Sequence, residues 1–380
     1  MVAKSKLRNV FTWEAYRYEI YDTQIDHPDF DTLLLAWRIP TNNGKRSRVI
    51  LKKLPMSADS ELRERAWEEL KLAEHLHHPN IAHVGGVIIR DGESYVVMES
   101  MHGLYLLTVI DFALLLNLKL SPAFAAYVAA EVADALHYAH ESRDKGGHPL
   151  HVIHRAVSPV RIRLGFEGQV KLTNFGAAYS DLRGRKPSPE DLLRGDPAYC
   201  APEVLRAVME RRPRHPDPLI SGAIDGRADV FSLGLILLEM LAAEYQIDST
   251  GSTAIRGPRG FARGIKSERG AWIDLDSLAF RLLHFDPQET ERLTAGLPDA
   301  LRDVIRKALE PEASERCSAG EMRDALRLYL KTLPQTFDKH AMVEEVKHIH
   351  WEATKANVMA GRPLERTALL LDDGRGSASQ

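Results

Sequence analysis

The sequence has 380 residues, of which 44% are hydrophobic and 27% charged, and its formal net charge is -3 at pH 7. This balance excludes an intrinsically disordered chain, because such chains combine low hydrophobicity with high net charge. It also argues against non-specific binding of nucleic acid or of an anionic membrane, which requires a basic excess. We expect a soluble globular protein.

The cysteines and the apolar segments indicate where the protein resides. Residues 1–13 are basic but lack the apolar stretch of a secretory leader, so Cys200 and Cys317 are expected to be reduced thiols. The most apolar run, residues 231–241, is too short to span a bilayer and includes Glu239. We therefore expect a cytoplasmic protein with no membrane partner.

The first quarter of the chain has the pattern of strands around one helix. Short apolar runs of strand type occur at residues 33–35, 49–51 and 95–98. Between them, residues 66–76 have the spacing of a helix. We assign residues 1–13 to an N-terminal extension and about residues 14–100 to a small lobe.

From residue 104 the pattern becomes helical. Apolar residues at helical spacing predict helices at residues 122–140, 229–243, 297–309 and 318–329. These helices belong to a large lobe over residues 104–333, and residues 334–380 follow as a C-terminal helix, near 338–353, and a flexible tail. Residues 208–223 and 245–275 are rich in Arg, Gly or Pro and predict surface insertions that could bind a partner.

Three motifs follow one another in the large lobe. They are His154 to Arg161 (HRAVSPVR), Asn174-Phe175-Gly176, and Ala201-Pro202-Glu203. In order and spacing they resemble the catalytic loop H-R-D-x-x-x-x-N, the Asp-Phe-Gly motif and the Ala-Pro-Glu motif of protein kinases. The resemblance, which extends to bacterial Ser/Thr kinases, implies an α+β bilobal protein-kinase-like fold over residues 14–333. Its small lobe would be an antiparallel sheet with one main helix, and its large lobe mostly helical.

The residues that carry kinase chemistry are replaced. Protein kinases use the catalytic-loop Asp to orient the substrate hydroxyl, and the loop Asn with the Asp of Asp-Phe-Gly to hold magnesium. The matching positions here are Ala156, Arg161 and Asn174, and Ser158 stands where many kinases have lysine. Alanine accepts no proton, and an amide beside an arginine is a poor cation site. The resemblance therefore implies a catalytically degenerate member, with no metal and no retained catalytic residue.

The nucleotide cleft keeps one kinase feature and loses another. Lys52, with Glu69, matches the phosphate-binding lysine and its partner, and we interpret the two as a remnant ion pair. Ile50 replaces the small alanine that packs above the adenine ring in kinases, and Arg163 replaces the leucine that packs below it. Both changes obstruct a flat apolar slot. A register shifted by one residue would place Lys53 and Leu51 there instead.

The segment at the position of the Gly-rich loop has no glycine and carries Asp26, Asp29 and Asp31. Backbone amides cradle phosphate only where the chain can approach closely, and negative charge opposes it. ATP binding is therefore not expected. One hypothesis is that these aspartates pair with Arg161 and Arg163 and close the cleft. The alternative is that each charge is separately hydrated.

The residues that support the kinase scaffold are present. The resemblance implies that His154 and Phe175 pack inside the large lobe, that Asp229 holds the catalytic-loop backbone, and that Glu203 pairs with Arg316. Losing the chemical residues while keeping the scaffold residues is the pattern of an inactive relative.

The stretch equivalent to the activation loop offers sites for modification. Ser180, Ser188 and Tyr199 are candidates for phosphorylation by another kinase, with Arg155 as a phosphate partner. The simpler interpretation of Arg155 is a structural role in the loop.

We interpret the chain as a pseudokinase that binds a protein partner, such as an active kinase or its substrate, as a scaffold or allosteric signalling module. One alternative is a Ser/Thr kinase or nucleotidyl transferase with weak or altered ATP-dependent activity. Another is a nucleotide sensor without turnover.

Overall fold

The computed structural model of the chain describes residues 9–24, 33–42, 44–53, 70–73, 75–90, 92–175, 178–182, 192–193, 195–209, 224–241, 264–267, 272–274 and 287–359. Most of both expected insertions and the end of the chain lie outside this range. Of the predicted small-lobe helix, residues 70–73 and 75–76 are described, and residues 70–73 are helical.

The small lobe is built from six strands. They are β1 (Asn9–Trp13), β2 (Tyr16–Gln24), β3 (Leu33–Pro40), β4 (Ser47–Lys53), β5 (Val84–Arg90) and β6 (Glu93–Glu99). In the described residues they form one antiparallel sheet in the order β1-β2-β3-β4-β6-β5. The predicted strands fall within β3, β4 and β6. Residues 9–13, which we had placed in an N-terminal extension, instead pair with β2, so the sheet includes them.

This sheet curls around its own apolar face. Arg90 on β5 lies over the ring of Phe11 on β1, 4.5 Å from its centroid, although these strands are the two edges of the sheet. The enclosed face buries Ala36, Val49 and Leu51. Because side chains alternate along a strand, the neighbouring residues of β4 point to the opposite face, toward the cleft between the lobes.

The large lobe contains the described helices. They are α1 (Leu106–Leu115), α2 (Pro122–His140), α3 (Pro202–Met209), α4 (Arg227–Leu241), α5 (Pro287–Thr294), α6 (Asp299–Ala308), α7 (Ala319–Lys331) and α8 (Lys339–Met359). The bounds of α2 coincide with the prediction, because Ser121 caps its first turn through Phe124 N at 3.0 Å and Pro122 occupies the first helical position. The alanines of α2 let neighbouring helices approach it closely. Helix α4 is buried on almost all of its faces.

A small sheet joins the two lobes at the cleft. It consists of β7 (Gly103–Tyr105), β8 (Ile162–Gly165) and β9 (Val170–Leu172), in that order. A Cβ added to Gly103 would lie 2.0 Å from the Leu164 carbonyl oxygen, so only glycine fits at this crossing. Strands β10 (Leu192–Leu193), β11 (Gly264–Ser267) and β12 (Trp272–Asp274) form a separate sheet.

The C-terminal helix α8 docks on the large lobe and runs to Met359, beyond its predicted end. It buries Met342, Val346 and Ile349. The Glu345 carboxylate accepts hydrogen bonds from Ser121 N at 2.8 Å and from Ser121 Oγ at 2.7 Å, at the N-terminus of α2. The helix is therefore fixed to α2 by polar as well as apolar contacts.

These elements confirm the expected α+β bilobal architecture, with a small antiparallel sheet lobe and a large helical lobe. Within the described residues, no helix combines the length and the apolar character that a membrane span requires.

Candidate functional site

A buried aspartate at the start of α4 organises the loop that corresponds to the kinase catalytic loop. Asp229 Oδ2 accepts from His154 N at 2.7 Å, and Oδ1 accepts from Arg155 N at 2.8 Å. His140 Nε2 lies 3.0 Å from the same Oδ2. Arg155 adopts a φ of +62°, which is unfavourable for arginine. The hydrogen bonds that the two backbone amides donate to Asp229 hold that conformation.

The side chain of His154 is buried beneath this loop. Its ring meets Phe175 edge-on, with centroids 4.6 Å apart. Nε2 lies 3.1 Å from the Thr173 carbonyl oxygen, and Nδ1 lies 3.3 Å from Ala156 N. These partners assign the neutral tautomer in which Nε2 donates and Nδ1 accepts. Burial lowers the pKa of His154 to about 4, so the ring is neutral at physiological pH.

The position of the catalytic aspartate is occupied by Ala156, which is 3% exposed. Gly195, with a φ of +80°, packs against it so closely that an added Cβ would lie 2.8 Å from Ala156 Cα. Ser158, two residues on, is also buried, and its carbonyl accepts from Arg161 N at 2.9 Å. The loop therefore holds a methyl group, packed under backbone, where a kinase presents a carboxylate.

The two positions that hold magnesium in kinases contact each other. Arg161 is 5% exposed, and Asn174 has a φ of +65°, a conformation that asparagine tolerates better than most residues. With its amide oxygen turned toward the guanidinium, Asn174 accepts from Arg161 Nη1 and, at 3.2 Å, from Nη2. A guanidinium and a neutral amide do not supply the oxygen ligands that Mg²⁺ needs, so these residues do not fit the metal. Gly176 lies outside the described residues.

Across the part of the chain that the structure describes, no group of three or more His, Cys, Asp or Glu side chains is placed to hold a metal ion.

A cavity lies between the lobes at the expected adenine position. Its lining includes Ile50 from β4, Met98 and Glu99 from β6, and Arg163 from β8. Its volume is about 40 Å³, which is room for a few water molecules. Leu51, the register alternative to Ile50, is 1% exposed in the opposite face of the sheet. The structure therefore places Ile50 and Arg163 in the lining of this cavity, and their obstruction of an adenine slot stays a prediction.

Arg163 is held on the floor of this cavity by neutral groups. Nη2 donates to the Met101 carbonyl oxygen at 2.7 Å, and the guanidinium lies 4.5 Å from the centroid of the Tyr105 ring. Tyr105 is directly opposite Arg163 in the pairing of β7 with β8. The side chain is 4% exposed, and its Nε has no hydrogen-bond partner.

The phosphate-binding lysine position is on the cleft side of the small lobe. Lys52 lies in β4 opposite Val96, whereas Lys53, the register alternative, pairs with Glu93 at the surface. Glu69 lies outside the described residues, so the Lys52 and Glu69 pair stays a prediction.

The expected acidic loop falls outside the described residues, with Asp26, Asp29 and Asp31. Its pairing with Arg161 and Arg163 stays a prediction. Among the described residues, Arg161 contacts the Asn174 amide and Arg163 contacts the Met101 carbonyl.

A buried ion pair between Arg316 and Glu203 supports the large lobe. Arg316 Nη1 lies 2.6 Å from Glu203 Oε1 and Nη2 lies 2.8 Å from Oε2, a bidentate geometry. Arg316 also donates to the carbonyl oxygens of Glu310 and Pro311 and lies over the ring of Phe231. The motif Ala-Pro-Glu is thereby tied to the segment between α6 and α7.

Two of the expected phosphorylation sites are core residues in this conformation. Tyr199 is 2% exposed, its hydroxyl donates to Glu239 Oε2 at 2.9 Å, and its carbonyl accepts from Ser232 Oγ at 2.6 Å. Ser180 is 5% exposed. Both hydroxyls are packed inside the large lobe in this conformation, and their phosphorylation stays a prediction that requires this part of the lobe to open. Ser188 lies outside the described residues.

Sequence reasoning missed two contributors to the site. Gly195 covers Ala156, and Tyr105 stacks on Arg163. The sequence Gly-Asp-Pro at residues 195–197 is typical of a tight turn, but it does not indicate that the turn packs against Ala156. Nothing in the sequence indicated that Tyr105 would lie opposite Arg163.

Comparison with known proteins assigns the family. The family model described as protein kinase domain matches residues 40–326. The tyrosine-protein kinase MasK of Myxococcus xanthus is 26% identical over 79% of this chain and 46% of its own length. The Ser/Thr kinase pakC of Dictyostelium discoideum is 30% identical over 54% of this chain and 38% of its own length.

A bacterial relative gives the same result. The Ser/Thr kinase PrkC of Bacillus subtilis is 23% identical over 70% of this chain and 34% of its own length. The chain thus spans less than half the length of each of these curated relatives. Since the family model covers most of the sequence, this chain belongs to the protein kinase domain family.

Proposed function

We propose that this member of the family does not transfer phosphate and acts instead as a binding or allosteric module. The observation that carries the proposal is the contact between Arg161 and Asn174, which places a buried cation at the family's magnesium position. A divalent metal there would meet a fixed positive charge and an amide already engaged by it.

The residue at the catalytic position supports the same conclusion. Ala156 has no group that could accept a proton or orient a hydroxyl, a loss of about 10²- to 10⁴-fold in rate for a general base. The cavity at the adenine position also supports the proposal, because this cavity, which Ile50 and Arg163 line, has room for a few waters. Three separate parts of the phosphotransfer machinery are therefore altered together.

A protein partner is the expected ligand of such a module. Its binding surface would lie on the insertions near residues 208–223 and 245–275 or on α8, where Trp351 is 61% exposed. An active kinase or its substrate is the class of partner that the family suggests. We place the protein in the cytoplasm, away from membranes and nucleic acid.

An active kinase with altered nucleotide contacts is the second candidate. It is favoured by Lys52, which keeps the phosphate-lysine position on β4, and by the relatives, whose names describe kinases. A nucleotide sensor without turnover would also use Lys52.

One experiment separates these functions. The full chain is incubated with γ-labelled ATP and either Mg²⁺ or Mn²⁺, and label transfer to itself and to a general acceptor protein is measured beside a thermal-shift titration with the same nucleotides. We expect neither transfer nor a metal-dependent shift. The matched control is Lys52→Met, which removes the remaining phosphate ligand.

The control makes each outcome decisive. Transfer by the natural chain that disappears in Lys52→Met would establish intrinsic activity and overturn the proposal, whereas transfer that persists identifies a contaminating kinase. A thermal shift without transfer supports the sensor.

A further inference from the structure

The hinge between the lobes packs against the end of β8. The hinge consists of residues 100–102, which join β6 of the small lobe to β7 of the large lobe. A Cβ added to Gly165 would lie 2.8 Å from Met101 Sδ, so the hinge methionine rests on this glycine. The His102 carbonyl oxygen accepts from Phe166 N at 2.9 Å, and the two rings meet edge-on with centroids 5.0 Å apart. The hinge is therefore held against the β8–β9 turn, residues 166–169.

The C-terminal helix α8 contacts the same turn. The centroid of the His350 ring lies 6.2 Å from that of Phe166 and 6.3 Å from that of Phe112 on α1. At the start of α8, Lys339 packs against Gly168, where an added Cβ would lie 2.9 Å from Lys339 Cβ. Helix α8 thus holds the β8–β9 turn at two points, and one of them is the ring that meets the hinge.

His350 makes this contact as a neutral aromatic ring. Its Nδ1 is buried and has no hydrogen-bond partner among the described residues. Burial lowers the pKa of His350, so the ring is neutral at physiological pH. The imidazole therefore contributes its flat surface to the contact, packed between the rings of Phe112 and Phe166.

Other contacts anchor α8 independently of the turn. The helix buries Met342, Val346 and Ile349, and Glu345 accepts from Ser121 at the N-terminus of α2. The range that matches the family model ends at residue 326, so α8 is an addition to the matched domain. An element outside that range therefore reaches the hinge through the β8–β9 turn.

We propose that α8 is a strap that fixes the hinge. While α8 is docked, His350 holds Phe166 against His102 and the lobes keep their present spacing. When α8 is displaced, the hinge is released and the lobes move, so the width of the cleft depends on a helix outside the cleft. The inference rests on the proposed function in one respect, since displacement of α8 by a partner is how a binding module would change its conformation.

The test is hydrogen exchange of the full chain, read on peptides that cover residues 100–105. His350→Ala is compared with Trp351→Ala, which removes the neighbouring ring of the same helix and puts alanine there too. Trp351 is 61% exposed, so its loss should leave the hinge unchanged. We expect the hinge amides to exchange about three- to tenfold faster in His350→Ala, the effect of losing one buried aromatic pair.

Peptides from the buried helix α4 serve as the internal reference. Hinge exchange that is the same in His350→Ala as in the natural chain would overturn the inference. An equal acceleration in α4 and in the hinge would overturn it too, because α8 would then stabilise the whole lobe. Phe166→Leu keeps an apolar side chain in the turn, is expected to accelerate hinge exchange selectively, and decides the matter where His350→Ala does not fold.

The ATP assay keeps this inference apart from the proposed function. Faster hinge exchange in His350→Ala, with no phosphotransfer by the natural chain, supports both. Faster hinge exchange together with phosphotransfer would keep the strap and remove the proposed function. Unchanged hinge exchange without phosphotransfer would remove the strap alone.

Discussion

His154 is expected to make the stability of the protein depend on pH. Its Nε2 donates to Thr173 and its Nδ1 accepts from Ala156 N, so a second proton on the ring would break the latter bond and bury a charge. The pKa is lowered from 6.5 in the unfolded chain to about 4 in the folded chain. Because the folded pKa is the lower one, the contribution to stability is complete above pH 6.5 and is lost as the pH falls toward 4.

The size of this effect follows from the two pKa values. At 1.36 kcal/mol per unit, the full contribution is about 3 kcal/mol, and about 2 kcal/mol of it is lost between pH 7.5 and pH 5. His154→Phe keeps a ring against Phe175 but cannot be protonated. It is expected to be less stable at pH 7.5, because it loses both hydrogen bonds, and to lose about 2 kcal/mol less than the natural chain between pH 7.5 and pH 5.

The assay is urea unfolding of both chains between pH 7.5 and pH 5, with His340→Gln as control. His340 is exposed on α8, so this variant controls for the removal of a histidine outside the core. Identical profiles for the natural chain and His154→Phe would refute the assignment of a neutral buried ring.

Three further perturbations test the scaffold. Arg316→Met leaves the Glu203 carboxylate without its bidentate partner and is expected to cost about 3–5 kcal/mol of unfolding free energy, measured by chemical denaturation. Gly103→Ala places a Cβ against the backbone of β8 and is expected to cost about 1–3 kcal/mol, seen as a lower Tm. Burial raises the pKa of Glu345 above its unfolded value, so the natural chain should lose stability as the pH rises above about 4.5, and Glu345→Gln should lose less, with Tm followed across pH.

Each of these has a matched control in the same chain. Arg302→Met breaks an exposed pair with Glu291 and should cost under about 1 kcal/mol. Gly296→Ala adds a Cβ where no atom lies within 4 Å, so it should be neutral. Glu344→Gln changes an exposed carboxylate of the same helix α8 and is the control for Glu345→Gln. A control that behaves like its test variant would contradict the corresponding contact.

Sequence signals correctly predicted the helices and strands whose ends and faces are set by residues close together in the chain. Helix α2 was placed correctly because a serine cap, a proline and a run of alanines act within one segment. Strand β1 was missed because it is defined only by its pairing with β2, and residues 9–13 show no alternation strong enough to mark it.

The site was predictable in its residues but not in its contacts. The kinase motifs led directly to Ala156, Arg161 and Asn174 and placed the last two beside each other, but they did not indicate that the two side chains would form a hydrogen bond. The burial of Tyr199 could not be predicted, because its partner Glu239 is forty residues away along the chain and only the fold brings the two together.

Calorimetric titration of the full chain with ATP in the presence of magnesium is the most direct test of the central claim that this cleft does not hold Mg-ATP. We expect no saturable heat up to about 1 mM nucleotide, the upper end of ordinary substrate affinities. A saturating isotherm in the micromolar range that requires the metal would contradict the account.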